Sequence, residues 1–327
     1  MKIRKPCNLE KLYKGKGHTI IATSPELEFM TAVCLGEVDK ALSFFCEKKL
    51  LREDPPAVDT PYGRFEGLDG IRDFVEGWHK KFNAQGAFIT PVIQTFGGGR
   101  VCSEAVINFI VDGEIEQVPM LIVADFRTKT KLDEVRLYCH FTCVPGQQAY
   151  RHPIFKAAYK EIGEPNLLTG AVREYYEALG HAPDLDLERI VKTFSKDCQF
   201  GGYEPWGEEA LPPDEETVRK KFKSIGEYMP SCVAIRFETI IDDGRNCVLE
   251  WVHIVSRKGQ EERARIALSG IAVYERNEEG LICSVRICDY AHYERTIDWS
   301  KLPLTLEEAR KINFVEEYSP TVGIKRI

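Results

Sequence analysis

The sequence has no long apolar run. No stretch approaches the roughly 18 residues that a membrane-crossing helix needs, which argues against a helical membrane protein. It also lacks an excess of positive charge: 44 Lys and Arg face 51 Asp and Glu, for a net charge of -7. Such a surface attracts neither phosphate backbone nor acidic lipid, so no nucleic acid and no membrane is expected as partner. Several signatures of bound chemistry are missing. There is no CxxC pair, no HExxH and no His/carboxylate cluster at metal spacing, so no metal is expected. No G-x-G-x-x-G or phosphate-binding loop occurs, and Gly97-Gly98-Gly99 reads as a hairpin turn. No G-x-S-x-G elbow is present. The expectation is a protein without a cofactor. The opening residues, MKIRKPCNLEKLYKGKG, carry charge without a following apolar core and do not read as a secretory signal. The 11 cysteines are odd in number and have no framework spacing, so they read as reduced core thiols of a cytoplasmic protein.

A chain of 327 residues has room for two domains. Residues 1–24 read as a basic arm. Ser24-Pro25-Glu26 reads as a helix start, with Ser as cap, Pro in the first turn and Glu against the dipole. That helix is predicted to reach about Leu35, with Leu27, Met30, Thr31 and Cys34 on one face. A second is predicted over Val38–Leu51 and a third over Ile71–Phe82, where Phe74, Val75, Trp78 and Phe82 keep helical spacing. The Pro-rich stretch DPPAVDTPYGRFEG between them allows only short extended pieces. Four strands are expected next, over Ala87–Phe96, Arg100–Val111, Gln117–Arg127 and Leu132–Phe141.

The pattern then starts again. After a linker, 146–166, helices are predicted over Leu167–Leu179, Asp186–Ser195 and Glu215–Tyr228, with GGYEPWGEEALPPD as a loop. Strands are predicted over Cys232–Ile241, Cys247–Ser256, Arg265–Arg276 and Leu281–Tyr290. Arg72 matches Arg219 at a shift of 147, Glu104 matches Glu250 at 146, and Val135-Arg136 matches Val285-Arg286 at 150. So steady a shift reads as an internal duplication, with copies at 25–145 and 167–297. The tail, 298–327, holds Thr305-Leu306-Glu307-Glu308, a capping-box pattern for a short helix.

The run Gly63-Arg64-Phe65-Glu66-Gly67-Leu68-Asp69-Gly70-Ile71-Arg72-Asp73-Phe74 resembles the nuclear transport factor 2-like superfamily, and within it the SnoaL-like, polyketide cyclase-like branch. In the second copy the resemblance rests on Val248-Leu249-Glu250-Trp251, Gly270-Ile271-Ala272-Val273-Tyr274, Gly280-Leu281-Ile282 and Val285-Arg286-Ile287-Cys288-Asp289. It implies an α+β fold of two repeated cone-shaped domains. Each would hold three helices in a strongly curved, mainly antiparallel sheet and carry a small-molecule pocket. Members of the superfamily often dimerise through the outer sheet face. The resemblance therefore implies an intramolecular pseudo-dimer of the two copies, or a homo-oligomer.

In the cyclase branch a carboxylate near the end of the last strand faces the pocket and shuttles a proton, and Asp289 stands at the matching place. A carboxylate in an apolar cavity suits removal of a proton beside a carbonyl. The alternative is a solvated or Arg-paired strand end. The first copy has Cys139 in the position of Asp289. Cys139 and His140 would point to opposite faces of a strand, which argues against a thiol–imidazole pair. His253, on the face of Trp251 and Leu249, reads as a proton donor or as a packed histidine. Tyr176, beside Tyr175 on the first helix of the second copy, reads as a phenol aimed at an oxyanion or as core. Glu104 and Glu250, in the same mid-strand place in both copies, read as pocket acids or as register-fixing charges. Trp78, Trp206 and Tyr203 read as pocket-wall aromatics, and Arg265 as a holder of a substrate carboxylate. The Arg-x-Asp strand motif of epoxide hydrolases with this fold is missing, which argues against a water-activating hydrolase. The expected function is proton-transfer isomerisation, cyclisation or dehydration of a carbonyl compound. The alternative is a non-catalytic ligand-binding or assembly module.

Overall fold

The computed structural model describes residues 2–5, 23–47, 55–60, 63–83, 85–139, 168–179, 185–202, 215–228, 232–255 and 266–289. The expectations placed on 6–22, on the linker and on the tail with its capping box lie outside these residues. The chain divides into two compact units, which among the described residues hold 2–139 and 168–289.

In the first unit, α1 spans Pro25–Leu35. It ends at Gly36, whose φ of 69° is left-handed and whose amide donates to the Val33 carbonyl. A Cβ there would meet the His79 ring at 2.8 Å, so both the turn and the packing call for glycine. Helix α2 is Val38–Ser43, shorter than the sequence suggests. The sheet captures the chain at that point. The Phe44 carbonyl accepts from the Leu132 amide at 2.8 Å, and Phe45 bridges to Leu132. Helix α3, Gly67–Trp78, buries Ile71, Phe74, Val75 and Trp78 along one stripe and runs on as a π turn, His79–Asn83. Burial of four such side chains contributes roughly 1.5–3 kcal/mol each.

The strands of this unit are β1 (Ile3–Lys5), β2 (Ala57–Thr60), β3 (Gly63–Glu66), β4 (Ala87–Gly97), β5 (Arg100–Val111), β6 (Glu114–Thr128) and β7 (Lys131–Tyr138). They form a sheet in the order β3-β2-β7-β6-β5-β4, with β1 parallel to β6. Gly98 and Gly99, both at positive φ, make the β4–β5 turn. Val101, Ala105, Ile107 and Phe109 of β5 join the helices in one core. Cys102, Glu104 and Val106 alternate onto the other face and are also buried.

The second unit has α4 (Gly170–Leu179), α5 (Leu187–Lys192), β8 (Phe194–Gly202), α6 (Glu215–Tyr228), β9 (Cys232–Asp242), β10 (Asn246–Val255), β11 (Ile266–Arg276) and β12 (Ile282–Asp289). Its sheet runs β8-β12-β11-β10-β9. Sequence reading carries α5 to Ser195 and places no strand before the loop that begins at Gly201, but the helix stops at Lys192 and a strand begins at Phe194. The cause is again the sheet: β8 lies parallel to β12, and the Ile282 amide donates to the Thr193 carbonyl at 2.9 Å. That bond is the counterpart of Leu132 to Phe44.

Both units also carry a buried arginine on their last strand. Arg136 holds Asp125 with two bonds, at 3.0 and 3.2 Å, and Arg100 braces the same carboxylate at 2.7 Å. Arg286 holds Glu275 at 3.2 Å, with Arg245 bracing it at 2.7 Å. These ion pairs lie on the sheet face turned away from the helices, where a buried charge needs its partner.

Candidate functional site

The core of the second unit is built on aromatic rings. Tyr175 and Tyr176 come from the buried side of α4, Phe194 from β8, Phe222 from α6 and Tyr274 from β11. Tyr175 meets Tyr176, Phe194 and Phe222 edge-on, with ring centroids 4.9, 5.5 and 5.7 Å apart. Inside this cage the Tyr176 and Tyr274 hydroxyls lie 2.6 Å apart, a buried phenol–phenol hydrogen bond. Burial first, and then Tyr176, pushes the Tyr274 hydroxyl well above its usual pKa. It therefore stays a neutral O–H group, a donor and not a phenolate. In such a pair the phenol that accepts keeps its own proton to offer, and accepting strengthens it as a donor.

The other predicted residues of this unit are spread over the sheet. Asp289 ends β12, in register with Gly270, and its side chain lies outside the described set, as does that of His253 on β10. Backbone parity puts position 289 in step with Val285 and Ile287, which pack with the aromatic core. Glu250 is buried on the opposite face, level with Ile271 and Thr239. Its counterpart Glu104 is buried on the matching face of the first unit, level with Leu121 and Ile93. Neither glutamate shares a face with the helix-lined core. Trp78 is core, packed at tilted angles against Phe74, Phe82 and Phe109. Trp206, Tyr203, Arg265 and His140 lie outside the described residues.

Sequence reading passed over Tyr274, Asp125, Glu275 and a polar group in the first unit. There Glu26 is fully buried with Ser24, Gln94 and Ser103. Ser24 occupies the cap position of α1 but makes no side-chain cap; its hydroxyl donates to Glu26 instead, at 2.5 Å. The positions that the sequence shifts pair between the two units differ in polarity at these residues. At the shift of 146 that joins Glu104 to Glu250, Ser103 falls on Leu249 and Gln94 on Ile240. At the shift of 150, Tyr274 falls on Ala124. Each unit has polar side chains where the other has hydrocarbon.

Two of the buried thiols are held in the protonated form by their surroundings. Burial drives the Cys34 thiol up to about 12, and burial followed by Asp242 raises that of Cys247. Cys34, Cys46, Cys102, Cys139, Cys198, Cys247, Cys283 and Cys288 are unbridged. Among the described residues no group of His, Cys, Asp and Glu has a metal-holding arrangement, and no helix is long and apolar enough to cross a membrane.

No protein-family model matches the chain, and no curated protein matches it in sequence. Solved structures do match, each over about a third of the chain, and they are ketosteroid isomerase-like, polyketide cyclase and nuclear transport factor 2-like proteins. A Catenulispora acidiphila protein with a ketosteroid isomerase-like fold, in complex with trimethylamine, is 17% identical over 38% of this chain and 93% of its own, with a TM-score of 0.31. A putative polyketide cyclase from Sinorhizobium meliloti is 13% identical over 34% of this chain and 89% of its own, at 0.27. A nuclear transport factor 2-like protein from Anabaena variabilis is 17% identical over 37% and 95%, at 0.29.

Proposed function

We propose that the second unit binds a small carbonyl compound and moves a proton on it without a cofactor, in an isomerisation, cyclisation or dehydration. The observation that carries this reading is the Tyr176–Tyr274 hydroxyl pair, 2.6 Å apart and buried among aromatic rings. A neutral phenol, strengthened by a second phenol and shielded from water, is suited to hold the oxygen of an enolate as charge develops on it. Asp289 would take the proton from the carbon beside that carbonyl, with His253 as a further donor. Tyr274 pairs with Val285, four residues before Asp289 on the same strand. That is about 13 Å of strand, a span that a small molecule between the two side chains would bridge.

The reading predicts catalysed exchange of carbon-bound hydrogen for deuterium. A panel of ketones and enones incubated in heavy water with the full chain, followed by proton NMR, should yield at least one whose α-hydrogens are lost faster than in buffer. Asp289→Asn should abolish that acceleration while leaving the fold intact, and Tyr274→Phe should lower it by roughly a hundredfold, the scale of one oxyanion donor. An Asp289→Asn protein with undiminished exchange would remove the reading. A competing one, a non-catalytic ligand-binding or assembly module, is favoured by the ability of the two phenols to satisfy one another. It predicts exchange at the buffer rate for every compound.

The proposal includes that the two units are copies of one domain, that they pair, and that the protein works in the cytoplasm. The first of these is supported by the common strand order and by the Arg136 and Arg286 ion pairs. Limited proteolysis that released two stable, non-associating halves would rule out the pairing.

A further inference from the structure

The polar group in the first unit has a feature that packing does not explain. Glu26 is 0% exposed. Its Oε1 accepts from Ser24 at 2.5 Å, Ser103 at 2.7 Å and Gln94 at 3.0 Å. Its Oε2 is buried and has no hydrogen-bond partner, and no Lys, Arg or His among the described residues forms an ion pair with the carboxyl. A buried polar atom left unpaired costs about 1–3 kcal/mol, and more where the group is charged. The dipole of α1 favours an acid in its first turn but gives Oε2 no donor.

The fold itself does not demand this arrangement. In the second unit, the strand positions of Ser103 and Gln94 hold Leu249 and Ile240, both buried in the apolar core. The helix position of Glu26 falls on Ala171 or Val172 of α4. The same architecture therefore closes with hydrocarbon at all three places. An acid kept in the first unit, with one oxygen over-supplied with donors and the other given none, has the form of half a binding site. The group lies in the first turn of α1, next in sequence to exposed Thr23 and half-buried Pro25. Leu27 and Met30 of the same helix, and Val101 and Ala105 two residues either side of Ser103 on β5, belong to the apolar core of the unit.

We infer that Glu26 Oε2 is the anchor of a second ligand site, in the first unit, that takes a protonated primary amine with a short apolar body. The ammonium supplies both the counter-charge and the N–H donor that Oε2 lacks; the alkyl body suits the apolar side chains that neighbour the acid along α1 and β5. This site does not depend on the proposed chemistry of the second unit, and its test does not use turnover.

The probe is butylammonium chloride, titrated into the full-length chain and followed by calorimetry and by thermal unfolding. The unsubstituted chain is expected to bind and to melt higher with the amine present. Glu26→Gln should bind roughly tenfold or more weakly, the scale of a lost charge-assisted hydrogen bond. The triple replacement Glu26→Val, Gln94→Ile and Ser103→Leu transplants the side chains of the second unit. It should abolish binding yet melt at the same or a higher temperature, because it removes an unsatisfied buried acid. Absence of amine binding by the unsubstituted chain would overturn the inference, as would equal binding by Glu26→Gln. A triple variant that melts well below the parent would show that the group serves packing, and would overturn it as well.

Discussion

Asp125→Asn is expected to lower the stability of the protein by about 3–5 kcal/mol, the cost of removing the carboxylate that pairs with a buried guanidinium. The side chain of Arg136 is 0% exposed, and Asp125 is the carboxylate that meets both of its terminal nitrogens. Asparagine keeps the shape and one acceptor but loses the charge. Glu134, 3.8 Å from Arg136, is already engaged by Arg64 at 2.9 Å and is a poor substitute. The effect has a pH signature. Burial alone would raise the Asp125 carboxyl; Arg136 and then Arg100 overcome that and bring it down to about 2. An unfolded aspartate titrates near 3.9. The folded value is the lower one, so the contribution is fully present above the unfolded pKa. It is lost as pH falls through about 4 toward 2 and amounts to about 2–3 kcal/mol. Urea unfolding at pH 7 and at pH 2.5 should therefore show the gap between parent and variant shrinking in acid. Equal midpoints at pH 7, or a gap that does not change with pH, would refute this account. Glu275→Gln is the corresponding change in the second unit, where Arg286 is equally buried.

Phe222→Ala should cost about 3–5 kcal/mol, the range for removing a buried ring from a packed core. Phe222 is 0% exposed and lies against Phe194 at 5.9 Å and Tyr175 at 5.7 Å. Its loss takes away one wall of the cage that fixes Tyr175, and Tyr175 in turn packs on Tyr176 and Tyr274. The phenol pair should loosen, so the near-ultraviolet circular dichroism of the tyrosines should weaken together with stability. Phe222→Leu fills most of the space and should cost distinctly less. A loss below about 1 kcal/mol for the alanine variant would contradict the assignment of this ring to the core.

How much of this was readable beforehand differs from place to place. The stripe Ile71, Phe74, Val75, Trp78 announces α3, because a helix repeats its buried face every three to four residues. The strands β4 to β7 and β9 to β12 announce themselves by their β-branched and aromatic content, with glycine at the β4–β5, β5–β6, β9–β10 and β11–β12 turns. The short helices α2 and α5 were misjudged for one reason. Val38–Ser43 and Leu187–Lys192 continue into residues with acceptable helix propensity, and what stops them is a distant strand. Leu132 and Ile282 claim the carbonyls of Phe44 and Thr193 and draw Phe45 and Phe194 into the sheet. No local rule contains a partner nearly ninety residues away.

The candidate sites divide in the same manner. Tyr176 was visible as a phenol on an apolar helix face, but its partner was not, because Tyr274 lies 98 residues on and reads as one more aromatic in a strand. In the sequence Glu26 reads as an ordinary first-turn acid set against the helix dipole. Its burial depends on Gln94 and Ser103, which come from two different strands. By itself, then, the sequence determined the periodic elements and the likeness of class, since each is written in spacing along the chain. Only the tertiary structure decided which polar groups meet and which of them are left with an unanswered bond. Hydrogen bonds and ion pairs act over about 3 Å, and contacts that short between residues far apart in sequence exist only once the sheet has brought them together.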